Sequence, residues 1–171
     1  MTTPYAHGTS AQPLLDDTIG ARLRHTADRF AEHDALVDVP TGTRWTYREL
    51  DDRIDLVARA LLGMGITKGD RVGIWATNRP EWVLVQYATA RIGAILVNIN
   101  PSYRTDELRY ALRQSEVVLM IAEEAFRSSN YRAMISEARP DCPAPATVIF
   151  LGYFVARRRV RRARDPGRGR A

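Results

Sequence analysis

The chain has 171 residues, 45% of them apolar and 26% charged, with a formal net charge of +5. That profile predicts one soluble globular domain with a sizeable core and excludes disordered, collagen-like and disulfide-rich chains. The charge is unevenly placed: residues 152–171 hold eight arginines and one acid, giving 8 − 1 = +7, and the first 151 residues sum to 17 − 19 = −2.

The start, Met1 to Pro13, is polar and small, without a basic segment followed by an apolar run, so no signal peptide is expected. No apolar run approaches the ~20 residues that span a bilayer, and the cytoplasm is the expected compartment. A lone Cys142 allows neither an internal disulfide nor a cysteine-rich zinc site.

Asp17 or Thr18 can cap a first helix, in which Ile19, Leu23, Thr26, Ala27 and Phe30 recur at helical spacing. Ala35–Val39 reads as a strand, and Pro40-Thr41-Gly42-Thr43 turns it into Arg44-Trp45 as a small hairpin. Thr46 and Glu49 form a T-x-x-E capping box for the next helix, whose stripe runs through Leu50, Ile54, Val57, Ala58, Leu61 and Leu62. Gly63 and Gly65 stop it.

From Lys68-Gly69-Asp70 onward strands and helices alternate. Val72–Ala76, Ala94–Val97, Val117–Ala122 and Thr147–Leu151 are short apolar strands. Between them, Pro80 opens a helix carrying Trp82, Val83, Tyr87 and Ala90. Thr105, followed by Asp106 and Glu107, opens another. A weaker helix is expected around Ala125–Ala138, before the Pro140–Pro145 loop. Such strands separated by helices predict an α/β architecture, a parallel sheet layered between helices. The expected domains are a flexible N-terminus at 1–15, the folded body at 16–151 and an arginine-rich tail at 152–171.

Few residues suggest chemistry. G-x-x-x-x-G-K-[ST] and G-x-G-x-x-G are both absent, and Gly63, Gly65 and Gly69 close a helix before a strand, the reverse of a phosphate cradle. His7, His25 and His33 do not pair at metal-ligand spacing, and no G-x-S-x-G presents a nucleophilic serine. Glu49, Asp51, Asp52 and Asp55 suit a solvated helix face, with Arg48–Asp52 and Asp55–Arg59 at i, i+4. Trp82 and Tyr87 suit packing. The tail could bind nucleic acid through its arginines, or a membrane with Phe150, Leu151, Tyr153 and Phe154 as a wedge. Its Arg/Gly/Pro/Ala vocabulary is also what a shifted reading frame of GC-rich DNA produces.

Three segments carry a family resemblance. Trp45-Thr46-Tyr47-Arg48-Glu49-Leu50 resembles the first core motif of the AMP-forming acyl-CoA synthetases, within the adenylate-forming superfamily. Gly69-Asp70-Arg71-Val72 with Asn78-Arg79-Pro80-Glu81-Trp82 resembles the strand–turn–helix that follows. Ala90 to Pro101, continuing through Tyr103-Arg104 to Glu107-Leu108, resembles the second core motif of fatty-acid-activating members.

The resemblance implies the opening part of a fatty-acid–CoA ligase, a fold that joins a carboxylic acid to ATP, with magnesium, and passes the acyl group to coenzyme A. The family's Ser/Thr/Gly-rich loop with its lysine should follow Thr147–Leu151, where this chain reads Gly152-Tyr153-Phe154 and then arginines. No catalytic, cofactor-binding or metal-binding residue is therefore assigned. A fragment inactive alone, broken near residue 151, is the first expectation. The alternatives are a half that pairs with a separately encoded remainder, and a non-enzymatic α/β module with a nucleic-acid-binding tail. Loss of neighbours from a missing half, at ~1.5–3 kcal/mol per large apolar side chain, predicts aggregation through an uncovered sheet.

Overall fold

The computed structural model describes residues 15–142, 145 and 147–152. The polar start and the arginine-rich segment 153–171, with His7, Tyr153 and Phe154, lie outside the described residues.

Helix α1 (Ile19–Arg29) opens at Thr18, whose hydroxyl accepts the Ala21 N–H at 3.1 Å. The antiparallel hairpin β1 (Asp34–Asp38) and β2 (Thr43–Thr46) follows. Helix α2 (Tyr47–Gly63) starts at the Thr46/Glu49 capping box, with both reciprocal bonds formed at 3.2 and 2.9 Å. Its end is closed by the Ile66 N–H on the Leu61 carbonyl, with Gly65 at φ +86°.

Strand β3 (Arg71–Trp75), helix α3 (Pro80–Ile92), strand β4 (Ile95–Asn98), helix α4 (Thr105–Ser115) and strand β5 (Leu119–Glu123) complete the alternation. At α4 the cap position falls on Arg104, one residue before Thr105, and the Glu107 carboxylate accepts the Arg104 N–H at 2.8 Å.

One element departs from the sequence expectation. The helix expected over Ala125–Ala138 begins only at Tyr131. Residues 125–130 instead form a tight hairpin, β6 (Ala125–Phe126) and β7 (Ser129–Asn130), with Arg127 at φ +52° in its turn. The Asn130 side chain then accepts the Ala133 N–H at 3.0 Å and caps α5 (Tyr131–Ala138). Strand β8 (Thr147–Leu151) is the last element among the described residues.

Strands β4, β3, β5 and β8 form one parallel sheet in that order. Side chains alternate between its faces with the two-residue period of a strand. Val72, Ile74, Leu119 and Ile121 face a core filled by α1, α2 and α3. Trp75, Met120 and Ala122 face a second core filled by α4 and α5. Among the described residues the central strands β3 and β5 are covered on both faces, whereas the outer strands β4 and β8 are half-buried, with Ile95 exposed. Gly73 marks a close approach: a Cβ there would lie 3.0 Å from a Val117 methyl.

The helices on the first face are also joined by charge. Arg91 of α3 binds both Asp51 and Asp55 of α2, and Arg24 of α1 donates to Asp55 at 3.1 Å. Asp55 also meets Arg59 at 3.6 Å, as expected, whereas the Arg48–Asp52 pair does not form. Arg48 turns to Glu32 at 3.0 Å, because its N–H is bonded to the Ala31 carbonyl and draws it to the turn after α1. The acidic face of α2 is therefore partly a half-buried helix–helix clasp and not wholly a solvated surface. Burial acts to raise the Asp55 pKa, but the Arg91 hydrogen bond and charge, with Arg24 and Arg59, hold it below the usual carboxylate range.

Candidate functional site

The winding reverses between β3 and β5. From β3 the chain moves outward to β4 through α3 on one face, and from β5 outward to β8 through α5 on the other. Adjacent strand ends then lead away in opposite directions and leave a crevice at the carboxyl edge, the customary ligand position in open α/β sheets. Here the crevice encloses about 530 Å³ between the β1–β2 hairpin and the strand ends, with Trp45, Arg53, Thr77, Arg79, Leu84 and Glu123 on its walls.

Its polar groups form one connected set. The Glu123 carboxylate, at the end of β5, accepts the Thr77 N–H at 2.9 Å and the Thr77 hydroxyl at 3.0 Å. Arg79 donates to Glu123 at 3.2 Å and, through two nitrogens, to Glu81 at 2.8 and 3.1 Å. The Glu81 hydrogen bond is the main influence raising the Arg79 pKa, against burial. The reciprocal bond from Arg79, opposed by burial, holds the Glu81 carboxyl below the usual range. Arg53 lies over the Trp45 ring at 4.7 Å.

Beneath the crevice, Trp75 stacks on Tyr131 with centroids 3.5 Å apart, and the Trp75 indole N–H donates to the Asn100 carbonyl at 2.9 Å. The Tyr131 hydroxyl donates to the Pro101 carbonyl. Burial, then the nearby Glu123 charge, pushes the Tyr131 phenol up, which keeps it a hydrogen-bond donor.

The other sequence candidates lie elsewhere. His25 is exposed and sits 3.4 Å from Asp17; His33 meets the edge of Phe30. Gly65 and Gly69 take positive φ at the amino edge of the sheet, before β3. Trp82 and Tyr87 pack partly buried against the first core, as expected. Phe150 and Leu151 lie within β8 and pack against the second and first cores, with Arg132 at 3.9 Å over the Phe150 ring. Both are half-buried there, and Tyr153 and Phe154, the rest of the expected wedge, lie outside the described residues. Among the described residues, no helix is long and apolar enough to cross a membrane.

Sequence reasoning quoted Arg79 and Glu81 only as part of a motif, and it missed Thr77 and Glu123. The available signal was a carboxylate ending a continuous apolar strand, Val117 to Glu123.

The first turns of α3 and α4 already hold carboxylates, Glu81 and Asp106 with Glu107, and α5 is capped by Asn130. Anions at helix N-termini need free N–H groups, and further negative charge is repelled there. Pro80 removes one such N–H from α3. Among the described residues, no three His, Cys, Asp or Glu side chains gather as a metal site.

The parallel sheet, helices on both faces and reversal-point crevice define a doubly wound α/β unit. Within that class, the chain belongs to the AMP-binding enzyme family, which matches residues 23–163. It is 38% identical over 141 residues to "Medium-chain acyl-CoA ligase ACSF2, mitochondrial" of Danio rerio, covering 82% of this chain and 23% of that protein. Identity to YngI of Bacillus subtilis is 41% over 128 residues, 75% of this chain and 23% of the relative.

Among solved structures, a Mycobacterium tuberculosis fatty acyl CoA synthetase superposes with TM-score 0.71 at 28% identity, over 78% of this chain and 26% of that one. The N-terminal domain of FACL13 from the same organism gives TM-score 0.68 at 27% identity, over 78% and 33%. The chain thus corresponds to an N-terminal portion of an acyl-CoA-ligase-like adenylate-forming enzyme, and spans about a quarter of the relatives' length.

Proposed function

We propose that the chain supplies the opening scaffold of an enzyme that activates a fatty acid with ATP and transfers the acyl group to coenzyme A, and that it does not perform this chemistry by itself. One observation carries the second half of the proposal. Lys68, the only lysine in the sequence, sits in the turn before β3, at the amino edge of the sheet. The crevice is at the opposite edge, about 16 Å away along five residues of strand. Transfer of an adenylyl group with loss of pyrophosphate needs positive charge placed on the phosphates, and no lysine lines the crevice. Arg79 is committed to Glu81 and Glu123.

On this reading the folded body is 16–151, flanked by 1–15 and 152–171, and the working compartment is the cytoplasm. Fatty acid, ATP, magnesium and coenzyme A are ligands of the assembled enzyme. The chemical partner of this scaffold is the remainder of such an enzyme, continuous with it or separately encoded. Fatty-acid-dependent ATP–pyrophosphate exchange with the purified chain tests the proposal. No exchange above the enzyme-free rate is expected. Turnover that scales with chain concentration and requires the fatty acid would refute it.

A further inference from the structure

We infer that the groove where α1, α2 and α3 meet is a second binding site, for a small molecule that carries one carboxylate on a short apolar body. The groove encloses about 580 Å³ and shares no lining residue with the crevice. The inference goes beyond the function proposed above and does not depend on it.

Its charge is unbalanced in the opposite sense to the strand-end clasp. There, one guanidinium, Arg79, answers two carboxylates. In the groove, three guanidinium groups share two. Arg91 binds Asp51 and Asp55, Arg24 lies 3.7 and 3.1 Å from the same pair, and Arg59 lies 3.6 Å from Asp55. Among the described residues, no third acid pairs with these arginines. One unit of positive charge is left over. Asp51 and Asp55 are only 18% and 31% exposed, so water screens that surplus less than it would on an open surface.

The three arginines play different parts. Arg91 is 14% exposed and is filled by the two aspartates and the Asp51 carbonyl. Arg24 and Arg59 are 49% and 73% exposed, and both line the groove. They approach different oxygens of the one Asp55 carboxylate, which places them close enough for a second carboxylate to bridge them. A planar guanidinium offers parallel N–H bonds to a carboxylate, a match that an ammonium lacks.

The rest of the groove is apolar. Ala58, Leu62 and Ile92 lie along it. Leu62 falls on the apolar stripe of α2, yet it is 53% exposed, so a ligand body resting there removes it from water. Gly20 brings α1 directly against α3, since a Cβ there would lie 3.2 Å from the Arg91 Cα. A singly charged head and an apolar body match these features together. A phosphate dianion overcompensates the surplus charge and leaves the apolar part uncovered.

Titration of sodium hexanoate into the full chain at fixed ionic strength, followed by backbone amide shifts, tests the inference. Saturable shifts are expected at Gly20, Ala21, Arg59 and Leu62, and none at Thr77 or Glu123. Hexanoate should bind about tenfold more tightly than acetate, the scale of four methylenes each partly covered, and more tightly than inorganic phosphate. Arg59→Gln changes an exposed position whose ion pair adds little to stability, so the variant should fold as the parent does. It should weaken hexanoate about fivefold, and Arg24→Gln by a similar factor.

Shifts that grow linearly without saturating would overturn the inference, as would equal affinity in the parent and both arginine variants. Acetate or phosphate binding as tightly as hexanoate would also overturn it, by reducing the groove to a bare cationic patch. Shifts centred on Thr77 and Glu123 would place the carboxylate in the crevice and contradict it equally.

Discussion

At the scale of single residues, part of the acidic α2 face read as solvated is a charge clasp between helices, and a second clasp lies at the strand ends. One ties α1, α2 and α3 through Asp55; the other ties the strand ends through Arg79. Asp55 and Glu81 are both held below their ordinary pKa values of 3.8 and 4.5. A carboxylate with a lowered folded pKa stabilises the fold fully above its ordinary value and loses that contribution as pH falls toward the folded value. Urea midpoints are therefore expected to be flat from neutrality down to about pH 5, and to fall below about pH 4.5. In Asp55→Asn the midpoint at neutral pH should drop by the equivalent of about 1–2 kcal/mol, since Arg91 loses a partner at a site only partly shielded from water. The acid-side fall should be shallower in that variant. A neutral-pH midpoint equal to the parent's would show that the clasp adds nothing to stability.

At the scale of elements, sequence and structure agree wherever a local rule is strong. The Thr46/Glu49 box is legible because both hydrogen bonds lie within four residues, and Thr46→Ala should cost about 1 kcal/mol in thermal or urea unfolding. The four sheet strands were legible because each is an apolar run bounded by turn residues. The β6–β7 hairpin was not, since two-residue strands carry no periodicity. The Ser128-Ser129-Asn130 run, rich in turn and capping residues, was the overlooked sign. Long-range pairs were beyond local reading altogether. Thr77 and Glu123 are 46 residues apart and meet only because β3 and β5 become neighbours after β4 has crossed to the outer side. The Trp75–Tyr131 stack has the same origin. Tyr131→Phe retains the stack but removes the bond to the Pro101 carbonyl, and a loss of about 1 kcal/mol is expected in the same unfolding measurement.

At the scale of the whole molecule, the parallel sheet layered between helices and the family were readable, because the motifs include the helix starts and strand turns that build the layers. The crevice could be inferred only as a general property of such sheets; its lining required the three-dimensional order β4-β3-β5-β8. The central claim is that this scaffold has the family's architecture without a grip on the triphosphate. Calorimetric titration of magnesium–ATP into the folded chain, at salt high enough to suppress loose binding to exposed arginines, tests it most directly. No saturable heat is expected with ATP at ~1 mM, the concentration corresponding to a binding free energy of about −4 kcal/mol. A one-to-one isotherm with a tighter Kd, insensitive to added salt, would contradict the account.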